Sequence, residues 1–259
     1  MALDKLPNVL ACDVGNTTLR FAWVCGEQVN SAQTMRLGEL TELGDSLRQL
    51  WAKMPVPKKV AVGSVNPSGL KALEAAVAQG MEEPTLVVGR ELPLPIETDL
   101  ADPTATGVDR LCAAAAAFDH LGVACVVADF GTAITIDCVN DEGVFMGGAI
   151  LPGLEMGAKS LAKQTAQLPK VKLSNPTWVF GKDTRQAIVG GLVVSARGAL
   201  REFAEAYATE LGHWPVVVAT GGDAKLVCGD PNQSGLVQCR VDDLAVRGVA
   251  IAYYKSLLR

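Results

Sequence analysis

Apolar residues along the chain follow two rhythms: short unbroken runs of strand length, and longer stretches in which they recur every three or four positions. The runs Val9–Cys12 and Arg20–Val24 predict two strands near the start, separated by a polar turn. Leu37–Trp51 has helical spacing, Lys59–Val65 predicts a strand, Leu70–Gln79 a helix and Thr85–Val88 a strand. The stretch ELPLPIETDLADPTATG breaks both rhythms and predicts a loop. It is the natural place for a boundary between an N-terminal lobe, 1–105, and a C-terminal lobe, 106–259. Asp109–Leu121 carries an alanine run that favours helix and is stopped by Gly122. VACVVAD and ITIDCV predict two more strands, and PGLEMGAKSLAKQ a helix with Pro152 near its start. Thr184–Leu211 predicts a long helix weakened or kinked at Gly190-Gly191. PVVVATGG predicts a buried strand entering a glycine turn, and Leu244–Leu258 a last helix. Strands and helices mix in two similar halves, which is the α/β class.

The halves contain an echo. VLACDVGNTTLRFAWV and CVVADFGTAITIDCV each run from an apolar strand into Asp-x-Gly, then small polar residues, then a second strand. Asp13 and Asp129 lie 116 positions apart. A duplicated fold is expected to place such hairpins on facing walls of one cleft. Glycine lets a polyphosphate approach the main chain without a side-chain clash. Amide N–H groups and the hydroxyls of Thr17, Thr18 and Thr132 can donate to phosphate oxygens. A carboxylate repels phosphate unless a cation lies between them, so Asp13 and Asp129 suggest cation-assisted handling of a nucleotide polyphosphate. The plainer alternative is two ordinary hairpins with Asp and Asn chosen for turn geometry. Repetition with matching flanks favours the phosphate reading.

Composition narrows the rest. With 259 residues and 49% hydrophobic content, the chain can build one large domain or two smaller ones. A net charge of −5 without a basic run argues against nucleic acid or an anionic membrane as main partner, and 5% aromatics against a base-stacking platform. Seven cysteines, an odd number with no CxxC, suggest a reducing compartment without disulfides. The start MALDKLPNVLACD lacks a signal-peptide pattern, and no apolar run approaches the ~18 residues of a membrane span, so the expected location is cytoplasmic. There is no GxxxxGK[ST] and no GxGxxG after a strand. His120 and His213 read as surface or helix-end residues, too few for a zinc site.

The segments DVGNTTLR (Asp13–Arg20), GVDR (Gly107–Arg110), DFGTAITID (Asp129–Asp137), GGAILPG (Gly147–Gly153), GKDT (Gly181–Thr184) and ATGG (Ala219–Gly222) resemble, in this order, the motifs of type III pantothenate kinases. The resemblance covers nearly the whole chain from Asp13. It implies a duplicated actin-like ATPase (ribonuclease H-like) fold, as in sugar kinases and Hsp70, with two lobes around a central cleft. It implies ATP-dependent phosphorylation of pantothenate to 4'-phosphopantothenate, the first step of coenzyme A synthesis. It also implies a homodimer that uses magnesium and a monovalent cation, potassium or ammonium.

Carried over by position, Asp13, Val14, Gly15, Asn16, Thr17, Thr18, Leu19 and Arg20 resemble the nucleotide phosphate loop, and Thr132 an ATP contact. Gly107, Val108, Asp109 and Arg110 resemble the pantothenate segment, with Asp109 the proton acceptor. Asp129 resembles the monovalent-cation ligand, and Thr184 a pantothenate contact at the dimer interface, for which Ala187–Leu200 is a candidate face. Two positions depart from the pattern. Leu100 and Asp102 stand where a Tyr-x-Asn-Pro segment is usual, so Leu100 holds the place of a pantothenate-touching tyrosine. Arg20 stands for a lysine and is not an equivalent phosphate partner. The residues alone leave Asp109 either a base or a helix cap, and Arg110 either a grip on the acceptor carboxylate or a solvated arginine. Two alternatives to the family's reaction remain: a kinase or ATPase of the same fold acting on another hydroxyl compound, and a regulatory accessory protein in transcription.

Overall fold

The computed structural model describes residues 6–229 and 235–258. Contacts divide the chain into two compact units, residues 1–120 with 243–259, and residues 121–242.

In the first unit, β1 (Asn8–Val14), β2 (Thr18–Cys25) and β3 (Gln28–Arg36) form an antiparallel meander, and β4 (Lys58–Ser64) and β5 (Thr85–Val87) add parallel to β1. The order is β3-β2-β1-β4-β5. Side chains alternate between the faces of a strand. Leu10, Cys12, Leu19 and Phe21 pack with Leu47 and Leu50 of α1 (Leu43–Lys53) and Leu73 of α2 (Pro67–Ala78). Val9, Ala11, Ala22 and Val24 face the other way, toward Val108 and Cys112 of α3 (Val108–Leu121). A two-residue strand, β6 (Glu97–Thr98), lies in the proline-rich connection before α3.

The second unit repeats the plan. β7 (Cys125–Phe130), β8 (Ala133–Val139) and β9 (Val144–Pro152) form a meander, β10 (Val216–Thr220) runs parallel to β7, and β11 (Cys239–Arg240) parallel to β10. Its order, β9-β8-β7-β10-β11, is that of the first sheet, so the duplication expected from the two Asp-x-Gly turns extends to whole sheets. α4 (Leu154–Gln164), α5 (Thr184–Leu211) and α6 (Ala224–Cys228) cover one face through Leu154, Val193, Leu200 and Val227. α5 runs through Gly190-Gly191 as one element. Its buried stripe from Ile188 to Ala204 supplies more than the roughly 1 kcal/mol that each interior glycine costs relative to alanine.

The chain then returns to the first unit as α7 (Leu244–Ser256), whose Val246, Val249, Ala250 and Tyr253 complete the core on the α3 face. The division therefore differs from the boundary expected at 105/106. α3 cannot be assigned away from the sheet whose face it covers, and the last helix belongs with the first strands. β3 and β9 are absent from the sequence pattern for a common reason. β3 is largely exposed, β9 buries only Phe145, and both are set by their ladders rather than by apolar alternation. The first helix begins at Leu43, not Leu37, behind a short 3₁₀ turn, Leu40–Glu42. Among the described residues no helix is long and apolar enough to cross a membrane, and all seven cysteines are free thiols.

Candidate active site

Asp13, at the end of β1, is the register partner of Arg20 on β2 and of Gly63 on β4. Residues opposite one another on adjacent strands point to the same face. That face is the one α3 and α7 cover, because Ala11 and Ala22 two positions away lie in its core. The hairpin between Asp13 and Arg20 is closed by the Gly15 N–H donating to the Thr18 carbonyl at 2.9 Å, and Asn16, Thr17 and Thr18 are exposed at its tip. Val14 and Leu19 point into the opposite core and anchor the turn.

Gly63 explains how α3 comes so near. A β-carbon there would lie 2.9 Å from a Val249 methyl and 3.8 Å from the Cys112 sulphur. α7 approaches α3 still more closely, since a β-carbon on Gly248 would overlap the Cys112 carbonyl. The first turn of α3, with Asp109, is thereby held at the carboxyl ends of β1 and β4, where open α/β sheets place their ligands. The charges of Asp13 and Asp109 both act on the buried Cys112 thiol, which burial above all pushes well above its usual range. Gly63, level with Asp13 on the next strand, lies against Val108 and Cys112, so Asp13 and the first turn of α3 share one region of the first unit.

Burial raises the Asp109 carboxyl above the usual carboxylate range, against the lowering effect of the Arg110 N–H, which donates to its Oδ1 at 2.8 Å, and of the Arg110 charge. The helix dipole alone predicts the opposite direction. Desolvation wins because the side chain is mostly enclosed. Gly107 packs against this carboxylate, where a β-carbon would come within 2.5 Å of Oδ1. Leu100 sits half-buried in the connection ahead of this turn. Asp102 caps a 3₁₀ turn, Pro103–Ala105, accepting from the N–H and hydroxyl of Thr104 at 2.9 and 2.6 Å. An acid thus replaces the usual asparagine there without losing a cap.

The second hairpin lies in the second unit. Asp129 ends β7, level with Thr220 on β10 and Thr135 on β8. Gly131 and Gly221 lie against its carboxylate: a β-carbon on Gly131 would stand 3.3 Å from Oδ1, and one on Gly221 would collide with it. Gly221 also has φ +92°, which side-chain-bearing residues rarely adopt. Thr132 is exposed at the turn. Thr184 is the exposed first residue of α5. Asp183 caps that helix by accepting from the Gln186 N–H at 2.8 Å, and Gln186 reaches back to the Lys182 N–H at 2.9 Å. Among the described residues, no three His, Cys, Asp or Glu form a group able to hold a metal. His120 is exposed, and His213 forms an exposed pair with Asp141 at 2.7 Å.

A sequence model described as type III pantothenate kinase matches residues 9–206. The chain belongs to the type III pantothenate kinase family. A member from Dehalococcoides mccartyi is 30% identical, with 95% of this chain and 96% of that one covered; one from Anaeromyxobacter dehalogenans strain 2CP-C is 34% identical, with 85% and 90% covered. Among solved structures, a Baf family protein from Campylobacter jejuni superposes with a TM-score of 0.62 at 19% identity, covering 97% of this chain and all of the other. An archaeal actin homologue gives 0.51 at 12% identity, covering 96% and 99%. The fold of this pantothenate kinase family member is therefore the actin-like one that the repeated sheet order describes. Sequence reasoning did not find Gly63 or Gly248, which carry no motif.

Proposed function

We propose that this chain transfers the γ-phosphoryl group of ATP to the hydroxyl of pantothenate, the opening step of coenzyme A synthesis. The observation that supports the residue assignments is the convergence of Asp13, Arg20 and Asp109 at one end of one sheet face. Phosphoryl transfer asks a protein chiefly for position and charge neutralisation, plus a group to orient the attacking hydroxyl and accept its proton. Asp109 fills that last role, and a carboxyl raised by burial is a better proton acceptor than an exposed one. Arg110 beside it suits the acceptor's carboxylate through a bidentate grip. Asn16, Thr17 and Thr18, with the hairpin amides and Arg20, provide donors for the nucleotide phosphates. Thr132 serves as the second ATP contact. Leu100 offers the acceptor an apolar contact in place of a tyrosine hydroxyl.

The donor set fits the cations this chemistry uses. Magnesium bound with a nucleotide keeps waters and phosphate oxygens and needs only one or two carboxylates, so Asp13 suffices without a protein cage. Such cations neutralise charge on the phosphate oxygens. A monovalent cation takes oxygen ligands, and Asp129, with Gly131 and Gly221 against it, offers a carboxylate in a notch without side chains. The deciding experiment is a coupled ADP assay with and without pantothenate, in potassium and in sodium. Turnover that requires pantothenate supports the reading, and turnover independent of it points to an ATPase or another acceptor. With Asp129→Ala, the potassium-to-sodium activity ratio is expected to fall to about one; an unchanged ratio removes Asp129 as the cation ligand.

We also propose a homodimer whose interface includes the start of α5. Val179 and Phe180 beside Thr184, and Val194 on the helix, are exposed large apolar residues in the single chain. Thr184 then contacts pantothenate bound to the partner. Co-expression of Thr184→Ala and Asp109→Asn chains, each inactive alone, is expected to restore about a quarter of wild-type activity, since half the dimers are mixed and each carries one intact site. No recovery in a confirmed mixed dimer means that the site is not shared.

A further inference from the structure

Asp243 is the first residue of the segment that returns to the first unit, and three observations single it out. It has φ +68°, one of two left-handed non-glycine residues among those described. It occupies the N-cap of α7, where aspartate normally accepts from the helix N–H groups, yet its side chain makes no cap hydrogen bond. Its carboxylate instead accepts from Nε of Arg20, and only 14% of that side chain is exposed. A left-handed backbone at a non-glycine residue is unfavourable and persists where the surroundings impose it. Forgoing the cap adds to that cost. Both departures serve one contact.

The grip is made through Nε, whereas a fork-to-fork pair would occupy a terminal amino group as well. Holding Arg20 by Nε fixes its long side chain and leaves the terminal amino groups, with four N–H donors, for oxyanions. Arg20 lies directly across from Asp13 at the mouth of the phosphate hairpin. We infer that Asp243 is a positioning residue, which aims the Arg20 guanidinium at the nucleotide phosphates from the start of the last helix. The inference rests on the nucleotide side of the kinase reading and is independent of the acceptor.

The test is a double-mutant cycle read by ATP affinity, with the Michaelis constant for pantothenate measured alongside. Asparagine tolerates the left-handed conformation, so Asp243→Asn removes the charge while keeping the backbone. It is expected to weaken ATP binding about tenfold, as for loss of one charged hydrogen bond, with the pantothenate constant within about twofold of wild type. Added to Arg20→Ala, it should produce no further loss. Unchanged or tighter ATP binding by Asp243→Asn overturns the inference, as does an equal loss in the Arg20→Ala background. A wild-type protein that binds ATP but forms no ADP with pantothenate defeats the acceptor reading alone and leaves this cycle intact.

Discussion

Asp109→Asn lowers pantothenate-dependent turnover by about 10²–10⁴-fold, the span expected for loss of a general base, while ATP affinity stays near wild type. The substitution preserves the shape of the first turn of α3 and the acceptor for the Arg110 N–H, so geometry does not explain the loss. The raised carboxyl adds a second signature. Its proton is held more tightly in the folded protein than in the unfolded chain, so stability falls as pH rises from the ordinary aspartate range through the raised folded value. The asparagine variant escapes that penalty. It is expected to melt higher than wild type at neutral pH and to lose the advantage below the ordinary aspartate range. Activity of the wild type should fall as pH drops through the same raised value. Calorimetry at several pH values with a pH–rate profile checks both. Near wild-type turnover removes Asp109 from the chemistry, and equal melting of the two proteins at neutral pH removes the buried charge.

Gly248→Ala carries the largest expected cost to stability. Alanine is the better helix former by roughly 1 kcal/mol, so an open position would gain from the change. Gly198 on α5 is such a position, with nothing within 4 Å of a β-carbon, and serves as the control. At Gly248 the same methyl would overlap the Cys112 backbone, which cannot rotate away as a side chain can. Overpacking of this kind costs about 3 kcal/mol or more and outweighs the gain in propensity. A melting temperature lower by about 6–12 °C is the expected result for a chain of this size. The Asp13–Arg20 hairpin sits on the same sheet, and the displaced α3 carries Asp109 in its first turn, so turnover is expected to fall as well. Wild-type stability in Gly248→Ala would mean that the two helices are not packed backbone to backbone.

Much of this was legible in the chain, and the gaps have physical causes. The buried strands β1, β4, β7 and β10 announce themselves because burial on both faces demands continuous apolar runs. β3 and β9 carry no such demand, since pairing with a neighbour rather than a core holds them. Asp13, Asp109 and Asp129 are proposed from motifs, but the elevated carboxyl of Asp109 has no sequence signal. Enclosure is a property of the folded surroundings, whereas its place in the first turn of a helix points the other way. Gly63 and Gly248 matter for the space they leave, and a glycine inside a helix or strand reads locally as a weakness. Arg20 drew notice as a departure from the usual lysine. Its partner lies 223 residues away, and only the returning helix brings them together.

That return governs the order in which the protein can be completed during synthesis. Val9, Ala11, Ala22 and Val24 are made well before α7, the helix that completes their cover. The whole intervening unit, 121–242, emerges with its own sheet and can mature meanwhile. Nascent chains therefore carry part of this apolar face uncovered, beside α3, until α7 follows, a state that calls for chaperone protection.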